Sequence, residues 1–466
     1  MRLQDRTALP RWILLALIHA VLLFNALYHD PRVAYDADEH LKYIEVLSGL
    51  RLPTPEETYE YFCPPLPYIA PAVARALGMS LVGAARVGLI ANVLVSLFLM
   101  YHLVGIAGQL RPGDERLKLL AVGLLGTLPV YYKTFAMVRG EPMLAAMTVA
   151  VAHEAIAIFV KRDRSWRRAI ALGVWLGLAL LSRQQAFFIL PALALLVALC
   201  LVGSRGLLRF CLSRGALAAG VAVLVSGAFY AHLAREHGSI FSYSRPLPGP
   251  LKLSNNPPSF YFDLGLDKLF TDPVRDAFPN RLIPTFHSEV WGDYWCYFLI
   301  YGRDARKGTP MSGLEVNRAL AQPSPPEWLE TNRRSMAAYL GRVNAMALPA
   351  TGVLIAGFLA ALAGLWGVRR RDEDPLGLGR ALLVLLAAST LSGYFLYMTA
   401  YPSPQVGRSI KASYVLQLFP ILCLLGAELV IRIGERSPRL ARWLCVLLAV
   451  CAAHNIPALV TRVIAR

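Results

Sequence analysis

Asp36, Asp38, Glu39 and His40 put three carboxylates and one imidazole within five residues near the start of the chain. A carboxylate with a second acid and an imidazole beside it is what a general base needs, because such neighbours tune its pKa. A helix cap accounts for some of this cluster without chemistry. Asp36 followed three residues on by Glu39 reads as a capping box. That leaves Asp38 and His40 to be explained, beside a bilayer, where unpaired charge is costly.

Other groups could also carry chemistry. Glu141 follows Gly140 and precedes Pro142, a position where a carboxylate answers the dipole of a starting helix. Trp291, Gly292, Asp293, Tyr294 and Trp295 follow His287 and Glu289. Aromatic faces there can stack on a sugar ring while Asp293 holds hydroxyls, although Trp and Tyr also form interfacial belts. The spacing of His287, Glu289 and Asp293 defines no metal motif, so a divalent metal stays unassigned. His153 and Glu154 lie within an apolar run; adjacent residues do not share a helix face, and we read them as contacts to neighbouring helices. The seven cysteines include no CxxC pair; a Cys63–Cys296 disulfide is left open.

The elements that must position these groups are membrane spans. The chain has 466 residues, 56% of them hydrophobic and 17% charged, well below the usual charged share of a soluble protein. Apolar blocks at 12–28, 85–107, 119–137, 142–160, 169–182, 186–203, 215–233, 346–367, 381–400, 412–431 and 443–460 predict about eleven helices across a bilayer. The first block has a basic flank like a signal peptide but no small-residue cleavage site, and is expected to be retained. The net charge of +17 would raise nucleic acid as a partner, but the basic residues cluster in alternate connections. These include Arg2, Arg6 and Arg11, then Arg111 and Arg116, Arg205 and Arg209, Arg369, Arg370 and Arg371, and Arg432 and Arg436. That is the positive-inside pattern; it puts the N-terminus in the cytoplasm and Arg466 outside, and argues against nucleic acid.

Two non-cytoplasmic segments, 29–81 and 234–345, are too long to be plain connectors. They divide the chain into a transmembrane module over residues 1–233 that carries the first loop, a large loop 234–345, and C-terminal helices 346–466. In the first loop, 38–50 reads as an amphipathic helix with Leu41, Ile44, Leu47 and Leu50 on one stripe, lying in the interface plane. An acidic linker of Glu56, Glu57 and Glu60 leads to Pro64 and Pro65 and a second helix over 68–77. No 20–50-residue repeat is present.

Asp38, Glu39 and His40, then Tyr43, Gly49, Pro53, then Pro64, Pro65, Leu66, and Ala85 with Arg86 resemble bacterial members of the GT-C superfamily. These are polyprenyl-phosphate-sugar-dependent glycosyltransferases related to protein O-mannosyltransferases and aminoarabinose transferases. The likeness continues at Arg139, Gly140, Glu141, Pro142 and at Lys411, Tyr414, Pro420. It implies an all-α polytopic membrane protein of GT-C fold, with interfacial helices in the first periplasmic loop. It further implies that Asp38 of the Asp-Glu pair is the base; we expect Glu39 and His40 to support it, with Asp36, His40, Glu141 and Tyr414 around the substrate.

The chemistry expected from the resemblance is sugar transfer, with inversion, from a polyprenyl-phosphate-linked donor to an extracytoplasmic glycan, lipid or protein at the cell inner membrane. The donor is dissolved in the membrane, so the site belongs at the bilayer surface and no nucleotide cofactor is expected. The leaving phosphate needs cations, and the outer side has few. Arg183, Arg408 and Lys411 are the expected phosphate contacts, with Lys133 and Arg139 nearby; helix-end cations that snorkel to headgroups are the plain alternative. Two other functions fit the composition. A transporter or flippase of lipid-linked sugars would show inverted repeats and broken helices, neither of which is evident. In a non-catalytic assembly subunit, the acidic cluster would only cap its helix.

Overall fold

The computed structural model describes residues 3–203, 208–241, 249–275, 277–300, 302–303, 310–311, 327–368, 375–403 and 407–464. Arg2, Arg205, Arg369, Arg370, Arg371 and Arg466 lie outside the described residues. The first half contains α1 (Leu3–Tyr28), α2 (Ala37–Ser48), α3 (Leu66–Ala76), α4 (Leu81–Leu110), α5 (Glu115–Gly126), α6 (Pro129–Phe135), α7 (Glu141–Ala155), α8 (Trp166–Leu180), α9 (Ile189–Gly203) and α10 (Leu208–His237). After them come α11 (Leu282–Trp291), α12 (Glu327–Met346), α13 (Leu348–Val368), α14 (Pro375–Ala400), α15 (Leu418–Arg436) and α16 (Pro438–Asn455). Two-residue strands, Gly302–Arg303 and Pro310–Met311, form one antiparallel pair.

Among the described residues, 8 helices are long and apolar enough to cross a membrane. The other three expected spans differ for local reasons. The 119–137 block is divided by Pro129 into α5 and α6, since proline cannot continue the hydrogen-bond ladder of the preceding helix. The 169–182 block is the 15-residue α8. The 412–431 block opens as a 3-10 turn, Ala412–Val415, and its helix α15 carries Glu428, Arg432 and Glu435.

The first loop folds as two helices, close to the expected positions. The apolar stripe of α2 buries Leu41 and Ile44, and α2 ends at Gly49 rather than at Leu50. Leu50 departs from the expectation: it adopts φ 58° and projects 95% exposed. Tyr43 of α2 stacks on Tyr68 of α3 at 4.2 Å, and its hydroxyl donates to the Cys63 carbonyl at 2.8 Å. Arg75 of α3 grips Glu45 of α2 through Nε and Nη2 at 2.7 and 2.8 Å.

The start of that loop is anchored to the far end of the chain. Asn25 donates to the Leu459 carbonyl at 2.8 Å and accepts from the Thr461 amide at 2.9 Å, and His29 bridges to Ile464. The described stretch of the second loop shares the bundle's core through Phe260, Val274, Val290 and Phe298.

Close helix approaches depend on small residues. In a membrane, such surfaces let backbones meet where no hydrophobic drive exists between helices. Gly173 and Gly177 of α8 face α10: a Cβ at Gly173 would sit 2.5 Å from the Ala218 carbonyl, and one at Gly177 would sit 2.6 Å from the Val225 Cβ. Gly177→Val is therefore expected to cost about 1–3 kcal/mol through overpacking. Gly220→Ala in α10, with nothing within 4 Å, serves as the control. Thermal unfolding in detergent should show a lowered midpoint for the first variant and little change for the second.

Candidate active site

Where α7 begins, a buried carboxylate is shared by two guanidinium groups. Arg139 donates through Nε and Nη2 to Glu141 at 3.1 and 2.8 Å, and Arg183 donates through Nη2 to the same Oε1 at 2.8 Å. Gly140 makes the approach possible, because a Cβ there would lie 2.2 Å from the Ser182 carbonyl. Arg183 also points Nη1 at the Cys63 sulfur, 2.8 Å away, and stands 3.6 Å from Glu60. The Cys63 thiol donates to Glu60 Oε2 at 2.6 Å. Buried charges persist only when paired, so these side chains fix one another and the three chain segments that carry them. The Arg183 Nε is buried and has no partner.

Arg139 extends this cluster to the first loop. Its Nη1 donates to the Tyr35 carbonyl at 3.1 Å, and its guanidinium lies 5.3 Å from the Tyr35 ring. The Tyr35 hydroxyl donates to Glu289 of α11, which also accepts from the fully buried Lys133 at 3.0 Å. Tyr35 is thus held at both ends. The next residue, Asp36, takes the left-handed conformation, φ 55° and ψ 29°. Few residues other than glycine adopt it, although Asp does so more readily than most.

Asp36 departs from the expected cap. Its side chain makes no capping bond; Oδ2 instead meets Lys411 Nζ at 3.1 Å, and Oδ1 accepts from the Tyr59 hydroxyl at 2.9 Å. The Lys411 ammonium, with Arg139 behind it, holds the Asp36 carboxyl well below the usual carboxylate range. Lys411 lies over the rings of Tyr35 and Tyr414 at 4.9 and 5.2 Å. Glu39 does not complete a capping box either. It pairs with Lys42 at 2.7 Å and accepts from the Tyr59 amide at 3.1 Å.

The other expected residues divide between this cluster and places outside it. Tyr414 joins it, stacked within 5.6 Å of Arg139. His40 lies beneath it, buried, sharing a 2.7 Å hydrogen bond with the Tyr68 hydroxyl. Asp38 is exposed, with Lys42 the charge that feels it, and Arg408 is exposed too. Trp291 is buried, and Thr351 accepts from its Nε1 at 2.8 Å. Asp293 is fully buried and accepts from the amides of Tyr297, Phe298 and Leu299, leaving it committed to a turn. Cys63 and Cys296 are free thiols, so the disulfide does not form. Tyr35 and Tyr59 carry no signal in the sequence, and Glu60 stands out there only as part of an acidic linker. Their roles come from tertiary contacts, and no spacing rule signals them.

A cavity of about 540 Å³ adjoins the cluster. It is lined by Phe188, Tyr394, Tyr397, Tyr414, Val415 and Gln417, mostly from α14 and the turns at 184–188 and 412–415. Gln417 Oε1 is buried there without a partner. A largely apolar space with a few convergent polar groups is the usual form of a ligand site.

One pH effect follows from the packing. Burial pushes His40 down from 6.5 to about 4. The unfolded chain therefore binds this proton first, and stability falls as pH drops from 6.5 toward 4. His40→Gln should flatten that dependence; an unchanged slope of unfolding midpoint against pH would refute the assignment.

The sequence profile of the dolichyl-phosphate-mannose-protein mannosyltransferase family matches residues 64–230. No curated protein matches the chain significantly. Among solved structures, the chain is similar to ArnT from Cupriavidus metallidurans bound to undecaprenyl phosphate, with TM-score 0.51 and 15% identity, covering 94% of this chain and 63% of that one. It is also similar to the oligosaccharyltransferase of Archaeoglobus fulgidus, with TM-score 0.50 and 11% identity, covering 96% of this chain and 53% of that one. The chain thus spans less than two thirds of either. With its bundle of membrane-crossing helices and its helical first loop, this protein has the GT-C fold of membrane glycosyltransferases.

Proposed function

We propose that this chain is an extracytoplasmic glycosyltransferase that takes a sugar from a polyprenyl-phosphate donor, with Asp36 as its base. The observation that carries this reading is the Asp36–Lys411 pair beside an apolar cavity, backed by two buried guanidiniums. Only Asp36, of the loop's three clustered carboxylates, faces those cations. This moves the role expected for Asp38 to its neighbour two residues upstream.

The geometry supports a simple displacement. The donor's isoprenoid tail fills the cavity beside Phe188 and Tyr397, and its phosphate meets Lys411. An acceptor hydroxyl attacks the anomeric carbon from the face opposite the phosphate. The carbon–oxygen bond to phosphate breaks, its electron pair leaves with the polyprenyl phosphate, and the hydroxyl proton passes to Asp36. Lys411 meets the charge that grows on the leaving phosphate, and the field of Arg139 and Arg183 adds to it. In the unliganded pair Lys411 makes Asp36 a poor base; a bound phosphate draws the ammonium away and strengthens it. Inversion at the sugar follows from the single displacement. The acceptor class, whether glycan, lipid or protein, is read from the extracytoplasmic placement of the loop and no further.

The test is transfer from a labelled polyprenyl-phosphate sugar in proteoliposomes. Asp36→Asn should lower the rate by about 100-fold or more, the scale of a lost general base. Asp38→Asn should stay within a few-fold of wild type. Full activity of folded Asp36→Asn, or loss confined to Asp38→Asn, overturns the assignment. Movement of donor across the bilayer without covalent transfer would favour the flippase reading instead.

A further inference from the structure

The fold brings a second polar cluster together far from the proposed transfer site. His102 of α4 and His153 of α7 direct Nδ1 at one another across 2.9 Å. Glu154 follows His153, and its Oε1 stands 3.8 Å from the same His153 nitrogen. One ligand atom from each of the three residues lies within 4.8 Å of the others. Counting along α7, the group is about 18 Å from Glu141, at 1.5 Å of rise per residue.

Adjacent residues do not normally share a helix face, which is why the sequence gives no sign of this convergence. The helix changes here: directly after Ala155 it becomes a π-helical turn, Ile156–Val160. Such turns interrupt α-helices frequently at functional sites. Gly105, three residues after His102, makes room for the second ring. A Cβ at Gly105 would lie 2.7 Å from His153 Nε2, so the bare backbone forms the seat of that imidazole. Glu154 is oriented from behind. Arg168 holds its other oxygen, Oε2, at 3.0 Å, which leaves Oε1 turned to the imidazoles. The Arg168 charge is in turn shared with Asp163 at 2.7 Å. A carboxylate fixed through one oxygen by an outer partner is the arrangement that supports metal ligands.

We propose that His102, His153 and Glu154 form a zinc site that ties α4 to α7, separate from the transfer site. Two imidazoles and one carboxylate are a donor set that Zn²⁺ accepts, with a water in the fourth position. Zinc–nitrogen bonds of about 2.0–2.1 Å put tetrahedral ligand atoms about 3.4 Å apart. The two Nδ1 atoms must therefore part by about half an ångström, and the carboxylate oxygen, 3.8 Å from His153 Nδ1 and within 4.8 Å of the His102 ligand atom, must close on both. The His153 side chain is 15% exposed, which leaves the ion a way in.

The experiment is metal analysis of the purified full-length chain in detergent, after Zn²⁺ loading and desalting, with X-ray absorption at the zinc edge. The expected result is one zinc per chain, bound by two imidazole nitrogens and a carboxylate oxygen. The His102→Ala, His153→Ala double variant should lose it, and thermal unfolding should respond to Zn²⁺ in the wild type alone. Zinc below about a tenth per chain, or equal zinc in wild type and double variant, overturns the proposal. Should the double variant not fold, the wild-type spectrum decides, and a shell lacking imidazole nitrogen overturns it too. None of these readouts depends on sugar transfer, so the two proposals fail separately.

Discussion

Two guanidinium groups holding one buried carboxylate is the constraint from which the rest of the proposed site follows. Glu141 cannot sit unpaired where it is, and neither can Arg139 or Arg183. Their mutual pairing fixes the start of α7, the turn after α8 and, through Cys63 and Glu60, the end of the acidic linker. Such a cluster is no proof of stability, since apolar residues can do as well in a core. What it supplies is position. Arg139 passes that position to the Tyr35 carbonyl, and the Glu289–Lys133 pair grips the same tyrosine by its hydroxyl. Directly after this fixed tyrosine the chain takes a left-handed residue, and the side chain of Asp36 makes no bond to its own helix.

That turn separates a cap from a reactive group. A carboxylate satisfied by amide donors of its own helix would be spent on structure. Asp36 is satisfied instead by Lys411 and Tyr59, side chains from other segments that a ligand can displace. Local backbone strain retained by surrounding contacts is common where chemistry occurs. The adjoining cavity is bordered by Tyr414, which also stacks with Arg139 and Lys411, so one ring belongs to both the apolar space and the cations.

Much of the fold was legible in the sequence, for reasons that are easy to state. Long apolar blocks report the solvent they face, and eight of those eleven blocks coincide with helices able to cross a bilayer. Proline and amphipathic spacing located α2 and α3 to within a residue or two. Legible too was the set Asp36, Glu141, Arg183, Lys411 and Tyr414, which the structure brings together. Which carboxylate meets the cations was not. A capping box and a left-handed turn share the pattern Asp-x-x-Glu, and only Arg139 and Lys411, 103 and 375 residues along the chain, decide between them. Trp291 and Asp293 show the same limit of the sequence. Composition marks them as sugar contacts, whereas burial against Thr351 and the amides at 297–299 commits them to packing.

The proposed transfer requires Lys411 to exchange Asp36 for a phosphate, and a structure of the protein in nanodiscs with undecaprenyl phosphate would show whether it does. The predicted result is a phosphate within hydrogen-bond reach of Lys411 Nζ, the first isoprenoid units against Tyr397 and Tyr414, and an Asp36 carboxylate freed toward the acceptor side. A phosphate bound elsewhere, with the Asp36–Lys411 pair still closed, would contradict it.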